Sequence, residues 1–329
     1  MEGFVFKLYF DGEREFFEFG EKAVCRTQRR PLITKCDFPM MESLLTFLDV
    51  DVMADDRMFR EMEEAVKRYS LKRDFDSYAV VRSLLDELAR KHIFYEALRL
   101  DWYDRLARAE DTPDDRAFDK IARSKRLRHT PSNLYAKQQH IAELFENVLR
   151  YGSGKESIRE RAARYFTEKK ERARKIDYYQ FGRLNMICEP VSSSVFTEVL
   201  YADGIYDVLD YCVRACIMEE YPARRCKNCG KWFILTGHQG LEYCNRPFDD
   251  KGHTCRDVGA GLTWEKRSRD DKPFMAYRKE YKKRFARIKA GRITNEEFLA
   301  WGKRARAQKR ACDEDKITLD EFIEWLENS

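Results

Sequence analysis

The sequence predicts an α+β protein, predominantly helical, with an N-terminal β-hairpin, a helical middle, a treble-clef-like zinc module and a basic helical C-terminal tail. Three observations carry this reading. "FVFKLYF" and "REFFEF" flank Asp11-Gly12, a strong two-residue turn signal. From Met40 to about Arg108, segments such as "MFREMEEAVKRY" and "YAVVRSLLDELARKHIFYEALRLDWYDRL" repeat apolar residues at spacings of three and four, the helical period. Four of the ten cysteines fall in one stretch, "RRCKNCGKWFILTGHQGLEYCNRPFDDKGHTCRDVGAG", residues 224–261.

At 329 residues the chain has length for two or three domains, each with its own core. The reading divides it into a hairpin plus helical region at 1–110, a charged linker or loop at 111–132, a helical region with a short strand at 133–223, a zinc-binding module at 224–262 and a basic tail at 263–329. The linker is inferred from "EDTPDDRAFDKIARSKRLRHTPSN", bracketed by two Thr-Pro pairs. Helices are expected near 134–150 and, very basic, near 156–187. "SSSVFTEVLYADG" has the β-branched content of a strand, and the helix after it puts Ile205, Val208, Leu209, Cys212 and Cys216 on one face. The first residues, "MEGFVFKLYFDGERE", place acids where a secretory signal needs basic residues, and no stretch has the apolar length of a membrane span. A cytoplasmic protein is expected. In that reducing setting a C-x-x-C pair points to metal binding or redox chemistry rather than structural disulfides.

Cys226 and Cys229 have the C-x2-C spacing, with Cys244 and Cys255 following after 14 and 10 intervening residues. Gly230 after the pair suits a knuckle, because a positive φ there turns backbone N–H groups toward the sulfurs. "KWFIL" and "LEYC" are expected to form a hairpin that returns Cys244 to the knuckle, and Cys255 to open a helix whose N-terminus favours a thiolate. The ligand set is therefore Cys226, Cys229, Cys244 and Cys255 around one structural Zn2+, with His253 competing with Cys255 for the last position. Arg224, Arg225, Lys227 and Lys231 offset the negative charge of four thiolates. A thioredoxin-type pair would need a βαβ context and would leave two cysteines unexplained. A closed shell of four cysteines offers no open position for water or substrate, so no catalytic role is expected. His238, Asn245 and His253 mimic an HNH nuclease, but His238 lacks the acidic neighbour that its general-base role requires.

On the residues "CKNCGKWF…EYC…TCRDVGAG", the segment from roughly 200 to 329 resembles an uncharacterised bacterial domain family of unknown function. More loosely it is similar to the CGNR-type zinc fingers of bacterial regulators, which implies a zinc module and DNA binding. In that type the last ligand is followed by Gly-Asn-Arg and the last gap is short. Here Arg256-Asp257-Val258 follows Cys255, and "NRPFDDKGHT" lengthens the gap.

Between Trp264 and Arg310 there are 17 Lys and Arg against 6 Asp and Glu, whereas residues 311–329 hold 7 acids and one Lys. Pro273 is expected to open a helix through Lys289 with Phe274, Tyr277, Tyr281, Phe285 and Ile288 as its apolar stripe. Arg278, Lys279, Lys282, Lys283, Arg287 and Lys289 lie off that stripe as candidate phosphate contacts. "ITNEEFLAW" and "ITLDEFIEW" each begin Thr-x-x-Glu, a capping box opening a short helix. An EF-hand reading of the latter fails on ligand spacing. His92, His129 and His140 have no carboxylate or Cys partner at a recognisable spacing, and no nucleotide-loop or HExxH motif is present. The favoured function is a non-enzymatic, zinc-stabilised protein that binds nucleic acid or regulates. The alternative is an adapter whose zinc module orders a protein-binding surface; an HNH-like nuclease is more distant. Neither a membrane nor a small-molecule substrate is implied.

Overall fold

The computed structural model describes residues 3–21, 32–110, 112, 114–152, 154–172, 177–237 and 239–329. Cys25 and His238 lie outside them. The chain divides into two units, Met1–Arg224 with Trp232–Leu241, and Arg225–Lys231 with Glu242–Ser329.

In the first unit, β1 (Phe4–Asp11) and β2 (Arg14–Glu21) form the expected hairpin, closing one residue later than expected. Asp11 still pairs with Arg14, and Gly12, at φ 61°, begins the loop. This hairpin is the centre of a five-stranded antiparallel sheet. β3 (Leu32–Pro39) adds to β2, β5 (Phe196–Tyr201) adds to β1, and β4 (Met186–Pro190) lies outside β5, giving the order β3-β2-β1-β5-β4. β4 occupies the end of the region expected to be one long basic helix. Among the described residues of that region, Ile158–Arg172 are helical (α7 below), burying Ile158, Ala162 and Tyr165, and residues 177–187 are not.

Helices cover one face of the sheet, where Phe6, Leu8 and Phe17 are buried at alternate positions. α1 (Glu42–Phe47), α2 (Asp56–Lys72), α3 (Phe75–Lys91) and α4 (Ile93–Glu110) account for the predicted helical stretch. The break between α3 and α4 falls at His92, whose extended backbone ends α3. Its ring accepts from Phe94 N–H at 3.1 Å and sits 3.0 Å from Thr46 Oγ1. Burial lowers its pKa to about 4, so it is a neutral packing residue. α4 buries residues all round, from Phe94 and Tyr95 to Leu106 and Ala109, as a helix does when enclosed by neighbours.

Most of the described residues of the expected linker at 111–132 are instead helical. α5 (Asp115–Ala122) is capped by Asp114, whose carboxylate accepts from Ala117 N–H at 2.8 Å, and it ends at left-handed Arg123. α6 (Lys125–Leu144) runs straight through Pro131. Its buried stripe of Leu127, Thr130, Pro131, Leu134, Gln138, Ile141 and Leu144 outweighs the missing proline N–H. Gln138 locks it to the α1 region by donating to the carbonyls of Phe47 and Val50, at 2.7 and 2.9 Å. α7 (Ile158–Arg172) and α8 (Ile205–Met218) complete the unit, the latter burying Cys212 and Cys216 in the core. A two-stranded ribbon of β6 (Ala223–Arg225) and β7 (Trp232–Ile234) follows.

The second unit carries α9 (Cys255–Asp270), α10 (Lys272–Lys289), α11 (Asn295–Asp313) and α12 (Leu319–Asn328). Asp271 caps α10 by accepting from Phe274 N–H at 2.7 Å, next to Pro273 in the first turn. Both capping boxes form, with Thr294 and Glu297 on α11 and Thr318 and Glu321 on α12. α11 is far longer than expected, because Phe298, Trp301, Ala305 and Cys312 keep a buried stripe going through it. Tyr277 stacks on Trp301 at 6.0 Å and Tyr281 meets Phe298 at 4.9 Å, building an aromatic core of α10 against α11. No helix of the described residues is long and apolar enough to cross a membrane.

Glu15 of β2 points into the core of the first unit and accepts from Ser43 N–H at 2.6 Å, at the start of α1. Its Oε2 has no hydrogen-bond partner, and burial raises its pKa to about 8. The folded state thus holds a proton that the unfolded chain releases near pH 4.5, so stability falls as pH rises from there to about 8. The slope approaches about 1.4 kcal/mol per pH unit. Glu15→Gln, neutral at every pH, should flatten this dependence and raise stability at pH 7 to 8, as read from denaturant midpoints across pH 5 to 9.

Candidate metal centre and basic helix

The loop between β6 and β7 carries Cys226 and Cys229, and Gly230 has the positive φ expected of it. Gly230 takes φ 73° and donates its N–H to the carbonyl of Cys226 at 2.9 Å, which closes a tight turn over Cys226–Cys229. Cys226 N–H donates to the Lys231 carbonyl at 2.9 Å and fixes the base of the turn. Cys244 arrives differently from expectation. β7 pairs with β6, and residues 241–244 form no strand. They are held instead by Lys227 N–H donating to the Glu242 carbonyl at 3.0 Å and by the Lys227–Glu242 ion pair at 2.5 Å.

Cys255 is the first residue of α9, as expected. Thr254 and Asp257 cap that helix: Thr254 N–H and its hydroxyl both donate to the Asp257 carboxylate, at 2.8 and 2.7 Å. Cys255 N–H donates to the Arg246 carbonyl at 3.0 Å, and a bridge between Pro247 and Thr254 folds the intervening loop back on itself. His253 does not join the sulfurs. Its Nδ1 pairs with Asp249 at 2.7 Å.

The sulfurs of Cys226, Cys229, Cys244 and Cys255 all lie within 4.8 Å of one another, so this group could hold a metal ion. Cys229 and Cys244 Sγ are 3.7 Å apart, far beyond disulfide length. N–H groups converge on the cluster, Cys244 N–H donating to Cys226 Sγ at 3.4 Å and Asn228 Nδ2 to Cys255 Sγ at 3.3 Å. The thiols are electrostatically unequal. Burial raises Cys226, but backbone N–H groups of Cys229, Cys244 and Asn228 outweigh it and bring the thiol to about 7. Burial pushes Cys244 up to about 12 and raises Cys255 as well. Asn228 and the Asp257 cap are contributors that spacing alone did not single out.

On α10 the candidate phosphate contacts fall in two rows, by the 100° advance per residue. Arg278, Lys282 and Lys289 form one row, and Lys279, Lys283 and Arg287 the other, on either side of the core-facing Tyr277, Tyr281 and Ile288. Lys279, Lys282, Lys283 and Lys289 are exposed, while Arg278 and Arg287 are half-buried. Arg278 lies over the ring of Trp264 at 5.2 Å, and Lys283 pairs with Glu280 at 3.2 Å. Two stripe assignments change. Phe285 is half exposed, since it falls on the row of Arg278 and Lys282. Its core place is taken by Arg284, buried over Trp301 at 4.7 Å and paired with Glu280 at 3.4 Å. Among the remaining histidines, His140 faces Asp177 at 3.4 Å, a pairing across 37 residues that no local pattern encodes.

A Cβ added at Gly259 would stand 2.3 Å from the ring of Tyr243, which donates its hydroxyl to Thr263 of the same helix at 3.2 Å. Gly259→Ala should therefore destabilise the second unit by about 1–3 kcal/mol. Combined with Tyr243→Ala it should add almost nothing to the cost of Tyr243→Ala alone. A double-mutant cycle on denaturant midpoints measures this coupling.

A protein family described as "Family of unknown function (DUF6076)" matches residues 185–328, the segment that holds β4, β5, the four cysteines and the C-terminal helices. No curated protein and no solved structure matches the chain.

Proposed function

We propose that Cys226, Cys229, Cys244 and Cys255 hold one structural Zn2+ in a treble-clef-like module, and that the module positions α10 to contact nucleic-acid phosphates. The observation that carries the metal reading is the sulfur cluster. Four Zn–S bonds of about 2.3 Å set tetrahedral sulfur edges of about 3.8 Å, and the Cys229–Cys244 separation of 3.7 Å matches that edge. Four soft sulfur donors favour zinc over hard cations such as calcium or magnesium. With every position filled by protein sulfur, no site is left for water or substrate, which supports a non-enzymatic role. The likeness to CGNR-type fingers and the two cationic rows of α10 support the nucleic-acid reading. The adapter is the second reading, favoured by the apolar side chains that the same unit exposes, Phe248, Trp264, Phe285 and Leu299. An HNH-like nuclease has less support, since His238 lies in Thr-Gly-His-Gln-Gly with no acidic neighbour in the sequence.

Native protein purified without chelators should contain one zinc per chain by elemental analysis; its absence would remove the reading. Structural zinc in small modules contributes apparent binding energies of about 10–16 kcal/mol, which are also folding energy. Cys229→Ser should accordingly abolish zinc retention and unfold residues 224–262, leaving the five-stranded sheet intact by hydrogen exchange.

For the basic helix, Lys282→Glu with Lys283→Glu removes one cation from each row. Affinity for nucleic acid should drop regardless of sequence, and each lost duplex-phosphate contact should flatten the log–log salt dependence by about 0.9. Thermal stability should fall only modestly, because both side chains are exposed and the buried Glu280, on losing Lys283, keeps its pair with Arg284 at 3.4 Å. Unchanged affinity and slope in electrophoretic mobility shifts across a salt series would favour the adapter.

A further inference from the structure

The first unit contains a cleft of about 550 Å³, walled by α4, the first two turns of α6 and the start of α8. Its apolar side is built by Leu98 and Trp102 of α4 and by Ile205 and Tyr206 of α8, with Thr130 and Asn133 among its polar groups. A second cleft of about 470 Å³ shares Asp101, Arg105, Arg126 and Asp203 with the first and extends to Lys120 and Arg123 at the α5–α6 junction. Both volumes fall within the range of about 300–1,000 Å³ typical of small-molecule sites.

The charges in this double cleft are unevenly committed. Asp101 pairs with Arg105 at 2.7 Å and Asp104 with Arg108 at 2.9 Å, while Asp207 accepts from Asp203 N–H at 2.9 Å. Among the described residues, Lys120, Arg123, Lys125 and Arg126 form no ion pair, although Arg126 stands near enough to Asp101 to act on its charge. All four are exposed at the mouth. α6 has no acid in its first turn, so Lys125 and Arg126 add positive charge to the positive end of the helix dipole. One end of the cleft is therefore aromatic and aliphatic, and the other holds four cations without acidic partners.

We propose that this double cleft binds a nucleoside phosphate, with base and sugar against the half-buried Tyr206 and the small exposed edges of the otherwise buried Trp102 and Ile205, and the phosphates on Lys120, Arg123, Lys125 and Arg126. The ligand needs both halves. A bare anion would leave the apolar walls unused, and an uncharged nucleoside would leave the cations uncompensated. Arginine forks suit phosphate oxygens by bidentate hydrogen bonding, and lysine supplies a point charge beside them.

Isothermal titration calorimetry of the full-length protein with ATP, adenosine and inorganic phosphate tests this. ATP should bind at least about tenfold more tightly than either of the other two, since charge-assisted hydrogen bonds and apolar burial each contribute a factor of that order. Lys125→Glu with Arg126→Gln should weaken ATP binding by more than about tenfold, while the ligand-free Tm stays nearly level, because the acid at 125 suits the helix N-terminus and offsets the Arg126 charge lost beside Asp101. Lys120→Ala with Arg123→Asn, chosen because Asn tolerates the left-handed backbone at 123, should weaken it in the same direction. Lys282→Glu with Lys283→Glu on α10 should leave ATP binding unchanged. The proposal is overturned if ATP does not bind at millimolar concentration, or if phosphate alone binds as well as ATP. Wild-type ATP affinity in both cleft variants, or loss of ATP binding only in the α10 variant, would overturn it equally.

Discussion

α4 is enclosed on nearly every side and yet carries Glu96, Asp101 and Asp104, so the first unit depends on finding each of these acids a cation. A buried carboxylate without a partner is strongly destabilising, because desolvation is not offset by attraction. The helix supplies most of the answer itself, through Arg99 for Glu96, Arg105 for Asp101 and Arg108 for Asp104, at spacings of three and four. Arg99 also reaches Asp86 of α3 at 2.8 Å and so ties two helices together. The neighbouring elements obey the same rule: Lys91 reaches Asp55 at 2.5 Å, and Lys137 reaches Asp210 at 3.1 Å. Glu15 is the exception, buried with one oxygen unpartnered, and it responds by holding a proton.

Against that pattern of committed charges, the cations at the α5–α6 junction stand out. Their side chains are solvated, so leaving them unpaired costs little, and cations in such positions are available to an anion. The acids that share their cleft are already engaged in holding α4 and the start of α8. This division between charges that serve the fold and charges that do not is what gives the cleft its chemical direction.

The second unit solves a different problem with the same economy of means. Its cysteine loops contain little apolar material, and their geometry is set by backbone hydrogen bonds, a glycine with positive φ and a Thr-Asp cap that together bring four sulfurs into one group. Farther along, Arg284 is buried over Trp301 and paired with Glu280, while its guanidinium also donates to the carbonyl of Ser329. That contact orients α10 with its aromatic side inward, which leaves Lys279, Lys282, Lys283 and Lys289 facing water.

What the sequence by itself determined were the features encoded within a few residues. The β1–β2 hairpin, the C-x2-C-Gly knuckle, the Pro273 helix start and both Thr-x-x-Glu caps depend on local backbone geometry, so spacing was enough to read them. The grouping of Cys244 and Cys255 with the knuckle followed from cysteine count and spacing, although the hairpin expected to deliver Cys244 did not form. Tertiary structure decided what local signals contradicted or did not contain. Charge and Thr-Pro pairs point to a linker over 111–132, but burial of Phe118, Ala122 and Leu127 makes 115–122 and 125–132 helical. β1 found β5 across roughly 190 residues, a pairing with no local signature because the partner is chosen by the shared core. The double cleft exists only where α4, α6 and α8 meet. Local geometry is written in the order of residues, whereas long-range pairing depends on which buried surfaces and charges satisfy one another once the chain has closed.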